Sequence, residues 1–116
     1  MATSFINLSN GESIHYFEIN HENINKKPTL FFIHGNFSIW VWWADTINAL
    51  KHLGYHMIAV DQRGFGESTY NTRCTYLADW AKDLVEFCDI KNIKECTAIG
   101  WSFGGTVSMK FAEIAP

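Results

Sequence analysis

The sequence is poor in basic residues, in cysteine and in long apolar stretches. Nine Lys and Arg stand against twelve Asp and Glu, for a net charge of −3. Such a chain offers no basic field for a phosphate backbone, so we expect no nucleic-acid partner. Every apolar run is far shorter than the roughly 20 residues that a membrane-spanning helix needs. These absences leave a globular domain, or part of one, as the prediction for 116 residues.

Cysteine usage and the start of the chain bear on the compartment. The three cysteines, Cys74, Cys88 and Cys96, form no C-x-x-C pair, which favours free thiols that serve as small buried hydrophobes in a reducing environment. The first residues have neither the basic nor the apolar region of a signal peptide. We therefore expect a cytoplasmic location.

The amino-terminal part of the chain carries a hairpin pattern. Two alternating runs within residues 4–19 flank Asn10-Gly11, the strongest short-range hairpin signal, and a two-residue turn would place both residues at positive φ. Residues 20–28 are polar and are predicted to form a loop.

From residue 29 to residue 116 the sequence alternates between strand and helix patterns. Short apolar runs at 29–33, 56–60 and 96–99 are typical of strands buried on both faces. Helical spacing follows each run, with Gly54 predicted as a C-terminal cap, Thr75 as an N-cap and Asp79 favouring the same helix start. This order predicts an α/β fold with a mostly parallel sheet and helices on both faces.

A G-x-S-x-G box, Gly100-Trp101-Ser102-Phe103-Gly104 followed by Gly105, lies between the last predicted strand and the last predicted helix. At such a junction the serine must occupy a sharp, strained turn, and side chains at the glycine positions would collide with neighbouring backbone. The following helix would direct its positive end, and the N–H of Phe103, towards an oxyanion. The alternative is a glycine-rich helix start with an N-cap serine.

Two further glycine-containing blocks follow the other two strands. His34-Gly35-Asn36-Phe37 occupies the loop expected to supply a second oxyanion donor, for which we select the N–H of Asn36. His34 is either a hydrogen-bonded structural residue or, less favoured, a catalytic base.

The second block runs from Asp61-Gln62-Arg63-Gly64 to Phe65-Gly66-Glu67-Ser68. Gly64 and Gly66 permit a tight turn, and Asp61 and Arg63 can pair to fix the loop. Asp61 is interpreted as an architectural anchor, with the acid of a catalytic triad as the less favoured alternative.

Aromatic residues crowd the neighbourhood of these blocks. Trp40, Trp42 and Trp43 follow Asn36, and either pack a helix against the sheet or form an apolar wall for a substrate. Phe37, Trp40 and Trp101 are the candidates for that wall.

Taken together, the blocks at 34–36, 61–68 and 100–105 resemble the N-terminal half of an α/β-hydrolase. The resemblance covers the chain from the hairpin onward, so that residues 1–116 would be the N-terminal part of one domain. It implies that Ser102 is the nucleophile and that Asn36 and Phe103 furnish the oxyanion hole. It implies no metal or cofactor.

A serine at position 102 departs from the epoxide hydrolase and haloalkane dehalogenase branches of that family, which attack with a carboxylate. The resemblance therefore implies acyl chemistry on a small apolar ester or thioester through an acyl-enzyme. The family order is serine, acid, histidine, yet all five histidines precede Ser102 and no Asp follows it. We expect the isolated chain to be inert.

Without the C-terminal half of such a fold, the strand before Ser102 would be an open edge that could pair with another chain. Two alternatives to an enzyme remain at this point: a binding module on the same scaffold, and a module that completes its sheet with a partner.

Overall fold

In a computed structural model, which describes residues 2–116, the chain forms a single five-stranded sheet flanked by three α-helices. The strands are β1 (Thr3–Asn7), β2 (Ser13–Ile19), β3 (Thr29–Ile33), β4 (Met57–Val60) and β5 (Cys96–Gly100). The helices are α1 (Ala44–Leu50), α2 (Leu77–Lys91) and α3 (Phe103–Ile114). This is the predicted α/β class, with the hairpin preceding the strand–helix units.

The strand order across the sheet is β1-β2-β4-β3-β5. β3 runs parallel to both β4 and β5, whereas β2 is antiparallel to β1 and to β4. Because the parallel strands point the same way, the loops that follow β3, β4 and β5 meet at one edge of the sheet. β5 is an outer strand of the described sheet, as predicted.

The parallel strands are buried on both faces because successive side chains alternate between two apolar layers. Phe31 and Ile33 pack towards α2 and α3, whereas Phe32 packs with the Trp40 segment and α1. All three side chains are inaccessible to solvent. Two of the cysteines, Cys74 and Cys88, are also buried, and burial raises the pKa of the Cys74 thiol to about 11.

The hairpin turn differs from the predicted two-residue form. The N–H of Leu8 donates to the carbonyl of Glu12, and the N–H of Gly11 donates to that of Leu8. Only Gly11 of the Asn-Gly pair has positive φ, at 88°. The strands are therefore joined by a longer loop in which a type I-like turn precedes one left-handed glycine.

The helix ends agree with one capping prediction and correct another. A 3-10 turn, Lys51–Leu53, extends α1, and Gly54 ends it in the left-handed conformation with φ 82°. Thr75 is not the N-cap of α2, because the helix begins one residue later than that assignment requires and Tyr76 takes the position. The Asp79 carboxylate accepts the N–H groups of Tyr76 and Thr75, and these hydrogen bonds lower its pKa.

Residues 20–28 contain one 3-10 turn, His21–Asn23, within the predicted loop. In the part of the chain that the structure describes, no helix has the length and apolar character needed to cross a bilayer.

Candidate active site

Ser102 lies at the junction between β5 and α3, in a backbone conformation that side-chain-bearing residues rarely adopt. Its φ and ψ are 55° and −118°, and its side chain is exposed. Its carbonyl accepts the N–H of Gly105, which begins the hydrogen bonding of α3. A non-glycine residue held in such a conformation stores strain, and strain of this kind concentrates at functional positions.

Glycine is required on both sides of Ser102 because the backbone of α3 lies close to β3 and β5. A Cβ atom added to Gly104 would overlap the carbonyl groups of Ile33 and His34, and one added to Gly100 would overlap the Gly104 carbonyl. At Gly105 the nearest atom to an added Cβ would be 3.7 Å away, which is ordinary contact. Only the first two glycines are therefore sterically obligatory.

Two amide groups near the serine lack partners within the protein. Phe103 is the first residue of α3, and Asn36 lies in the loop after β3. Among residues 2–116, the N–H groups of these two residues meet no acceptor. The N–H of Trp101 donates to the Ile33 carbonyl at 3.2 Å, so this bond ties the serine turn to the loop that carries Asn36. The N–H of Phe103 adjoins Ser102 in the chain, and that of Asn36 lies in the loop that this bond joins to the serine turn.

Aromatic rings cover this loop on its outer side. The Trp101 ring lies against Gly35 so closely that a Cβ there would overlap it. Trp101 also stacks on Trp42, with ring centroids 4.7 Å apart and an interplanar angle of 23°. Both indoles are about half exposed, and Phe37 is almost wholly exposed, at 95%.

Trp40 needs a correction, because it is not part of this exposed surface. It is 8% exposed and stacks on Phe17 at a centroid distance of 4.8 Å. Trp43 packs on Phe32. These two indoles pack in the core, and Trp42 occupies the surface position that is predicted for Trp40.

His34 is fully buried, and both of its ring nitrogens are engaged. Nδ1 donates to the Gly35 carbonyl at 2.7 Å, and Nε2 accepts the N–H of Gln62 at 2.9 Å. The Gln62 side chain returns a hydrogen bond to the His34 carbonyl. Burial lowers the pKa of His34, so the ring stays neutral and locks the β3 loop to the β4 loop. This geometry favours the structural interpretation over a catalytic base.

Asp61 is a buried anchor for three separate segments. One carboxylate oxygen accepts the N–H of Trp40 at 2.8 Å, and the other accepts the N–H of Glu67 at 3.1 Å and meets His15 Nδ1 at 2.8 Å. Gly66, at φ 54°, leaves room for this carboxylate, which a Cβ would overlap. Because both carboxylate oxygens already have partners within the protein, the structure favours the interpretation of Asp61 as an architectural anchor.

The predicted pairing of Asp61 with Arg63 is wrong. Arg63 reaches α2 instead, where Nε and Nη2 donate to the two carboxylate oxygens of Asp83 at 2.8 and 2.6 Å. This buried two-point contact raises the pKa of Arg63. A fork-shaped guanidinium selects a carboxylate it can meet with two parallel bonds, and Asp61 is already occupied.

The sequence pattern contains Gln62 but does not indicate its role, and it does not indicate His15 or Asp83 as parts of this frame. Asp83 lies on a helix beyond the loop, and His15 lies in the hairpin, so proximity along the chain gave no signal. For Asp83 one signal does exist in the sequence. It is the acid that falls on the apolar face of α2, and an acid in such a position is a candidate for a buried ion pair.

Sequence comparisons place the chain among hydrolases. The family model for the alpha/beta hydrolase fold matches residues 28–116. Epoxide hydrolase B of Mycobacterium tuberculosis is 31% identical over 91 residues, covering 77% of this chain and 26% of that protein. The AB hydrolase superfamily protein YfhM of Bacillus subtilis is 30% identical over 118 residues, covering 97% of this chain and 38% of that one.

Solved structures agree. A hydrolase from Pseudomonas aeruginosa superposes with a TM-score of 0.86 at 26% identity, covering 98% of this chain and 42% of its own. A structure from a study of Nitrososphaera gargenis carboxylesterases gives a TM-score of 0.86 at 28% identity, with coverages of 97% and 41%. The chain thus spans between about a quarter and two fifths of the length of these relatives. On the family match and the shared fold, this chain belongs to the alpha/beta hydrolase family.

Proposed function

We propose that this chain carries the nucleophile and the oxyanion hole of a serine hydrolase that acts on ester-like acyl bonds. The observation that supports this proposal most is the conformation of Ser102, whose exposed hydroxyl stands on a strained turn between β5 and the amino terminus of α3. Core packing does not explain the strained backbone of Ser102, because its side chain is not part of the core.

In the proposed reaction, Ser102 Oγ attacks the carbonyl carbon of the substrate and forms a tetrahedral intermediate. The N–H groups of Asn36 and Phe103 donate to the oxyanion, which the positive end of α3 also stabilises. Collapse of the intermediate expels the alcohol or thiol and leaves an acyl-serine. Water then attacks the acyl carbon, releases the acid and restores the hydroxyl.

The proton transfers of this reaction require a base and an orienting acid. No His and no Asp follows Ser102, and the Glu that does, Glu113, lies on α3 and pairs with Lys110. Of the earlier histidines, His34 has both nitrogens engaged and His15 faces Asp61. We propose that residues outside this 116-residue sequence supply the base and the acid in the active enzyme, and that the isolated chain does not turn substrate over.

Similarity to Epoxide hydrolase B does not by itself transfer that protein's reaction. The atom that attacks decides the chemistry, and here it is a hydroxyl oxygen rather than a carboxylate. A serine gives an acyl-enzyme with an activated carbonyl. The proposed substrates are therefore acyl compounds, and the exposed Phe37, Trp42 and Trp101 rings favour those with an apolar acyl or alcohol group.

A fluorophosphonate probe tests the proposal, because it phosphorylates an activated serine and is read by mass spectrometry. In a protein that joins this chain to the C-terminal part of an alpha/beta hydrolase domain, we expect labelling of Ser102 and turnover of short acyl esters. Ser102→Ala should abolish both, while Ser38→Ala, which removes a neighbouring hydroxyl, should abolish neither. Labelling elsewhere, or turnover that survives Ser102→Ala, would overturn the assignment.

A second proposal concerns the outer edge of β5. This strand is hydrogen-bonded to β3 on one side, and its exposed residues include Thr97. An uncovered edge of this kind is a template for strand pairing, so we propose that it pairs with another chain. Native mass spectrometry of the 116-residue protein is the test: a dimer supports pairing between chains, and a stable monomer at micromolar concentration opposes it.

A further inference from the structure

Three potential metal ligands converge at the amino end of the parallel strands, opposite the end that carries Ser102. Glu18 lies near the end of β2, His21 lies in the 3-10 turn that follows, and His56 immediately precedes β4. Ser102 follows the carboxyl end of β5, whereas His56 lies at the amino end of its parallel neighbour β4. From this convergence we propose that Glu18, His21 and His56 form a binding site for a divalent transition-metal ion, with Zn²⁺ as the best-matched ion.

The three ligand atoms are already close to coordinating positions. Glu18 Oε2 lies 2.6 Å from His56 Nε2 and 2.8 Å from His21 Nδ1. All three ligand atoms fall within 4.8 Å of one another. In a tetrahedral zinc site with bonds of about 2.0–2.1 Å, neighbouring ligand atoms are about 3.3 Å apart. To admit the ion, Glu18 Oε2 would move away from each histidine nitrogen by about 0.5–0.7 Å, and the two histidine nitrogens, which lie within 4.8 Å of each other, would adjust towards the same spacing.

The surrounding groups orient two of the ligands. His56 is completely buried, and its Nδ1 lies 2.8 Å from Thr29 Oγ1. When Nε2 binds a metal, Nδ1–H can donate to that hydroxyl, which is the outer hydrogen bond that histidine ligands normally make. The second Glu18 oxygen accepts from Lys91 Nζ at 2.8 Å, which fixes the carboxylate while Oε2 remains directed at the histidines.

Two imidazoles and one carboxylate select the ion class. Nitrogen ligands of this kind suit zinc and its neighbours rather than calcium or magnesium, which take oxygen ligands. His21 is exposed, with 60% of its side chain accessible, so solvent can fill a fourth position and the ion has an entry path. The ion would join the end of β2 to the start of β4, at the opposite end of the parallel strands from Ser102.

The test titrates ZnCl2 into the purified, chelator-stripped protein, with binding followed by calorimetry and the melting temperature followed in parallel. We expect saturable one-to-one binding and a rise in melting temperature. His21→Ala should weaken binding at least tenfold without unfolding the protein, because that side chain is exposed. His52→Ala removes an exposed histidine outside the cluster and is the matched control, which should bind as the unaltered protein does.

Co²⁺ provides a spectroscopic signal of metal coordination that a change in protein stability would not produce. Co²⁺ bound by two nitrogens and a carboxylate in a tetrahedral site should give intense visible absorption bands, which Glu18→Gln should reduce together with the affinity. The absence of binding up to millimolar Zn²⁺ would overturn the proposal. So would affinity unchanged by His21→Ala and Glu18→Gln, or affinity lost equally in His52→Ala.

Discussion

The two ends of the parallel strands are built in different ways. At the carboxyl end, backbone meets backbone: Gly104 lies directly against the carbonyl of Ile33, and Ser102 is held in a strained conformation. At the amino end, the Glu18 carboxylate gathers His56 and Lys91 through side-chain hydrogen bonds. Close backbone packing stabilises the first end, whereas ion pairs and side-chain hydrogen bonds stabilise the second.

This difference determines how each end should respond to perturbation. A backbone packed to contact cannot accommodate an extra atom without moving a strand or a helix, so steric changes there are costly. A polar cluster tolerates small shape changes but depends on the ionisation of its members. The carboxyl end should therefore be sensitive to added volume and the amino end to pH.

The largest effect is expected from Gly104→Ala. The new Cβ would overlap the carbonyl groups of Ile33 and His34, which belong to the central strand and the loop after it. Since neither group can move without distorting the sheet, we expect the free energy of unfolding to fall by about 3 kcal/mol or more. Urea denaturation followed by circular dichroism measures this loss.

Gly105→Ala is the matched control for that substitution. An added Cβ there meets its nearest neighbour at 3.7 Å, and alanine favours helix over glycine by up to about 1 kcal/mol. The control should therefore be neutral or stabilising. Equal destabilisation by the two substitutions would show that this end of the sheet does not depend on close backbone contact.

A smaller effect is expected from acid at the opposite end. Burial alone would raise the pKa of Glu18, but hydrogen bonds from His56, Lys91 and His21 outweigh it and lower the pKa to about 2 from an ordinary 4.5. The folded state thus gains stability from ionised Glu18 above pH 4.5, and loses it as the pH falls towards 2. At 1.36 kcal/mol for each pKa unit, reduced because Glu18 is partly solvated and its charges are screened, we expect a loss of about 1–2 kcal/mol.

Urea denaturation between pH 2.5 and 7, in the presence of a chelator, measures this loss. Glu18→Gln should be less stable than the unaltered protein at neutral pH, and the difference should shrink as the solution becomes acidic. Glu22→Gln, which removes an exposed carboxylate of the adjacent 3-10 turn, should keep the original difference between acid and neutral pH. A stability gap that is constant across the range for Glu18→Gln would contradict the proposed ionisation.

The same contrast explains what the sequence could predict. The region around Ser102 is specified by adjacent residues: a buried strand, a glycine, the serine and a second glycine. Local sterics act within such a segment, so its turn, its helix and the α/β order are predictable from patterns. The residues of the cluster around Glu18 come from β2, a loop, the start of β4 and the end of α2. These segments are distant in the sequence, so no local pattern predicts that they are in contact.

The errors have the same origin. Proximity in the sequence predicts a pair between Arg63 and Asp61, but the folded loop directs the guanidinium to Asp83 on α2. Thr75 was placed at the helix start because of its residue type, although the Asp79 carboxylate already serves the N–H groups there. In the first case a buried acceptor on another element outweighed proximity in the sequence, and in the second a carboxylate in the first turn of the helix outweighed the preference of threonine for the N-cap.

The smallest expected effect tests whether aromatic packing adds to the backbone contacts at the carboxyl end. Trp42 stacks on Trp101, which itself covers Gly35 in the loop that carries the proposed oxyanion donor. Trp42→Leu removes the stack but leaves the close contacts of Gly100 and Gly104 in place. We expect a loss of about 1 kcal/mol in the free energy of unfolding, because a stacked aromatic pair contributes about 0.5–1.5 kcal/mol and both rings here remain half exposed.

Far-ultraviolet circular dichroism provides the specific signal for that substitution, since the strong transitions of two stacked indoles couple and give a paired band that a single indole does not. The band should disappear in Trp42→Leu, whereas Trp80→Phe, which alters an indole outside the stack, should retain it. A loss of stability for Trp42→Leu as large as that for Gly104→Ala would mean that aromatic packing, rather than backbone contact, holds the serine turn against β3.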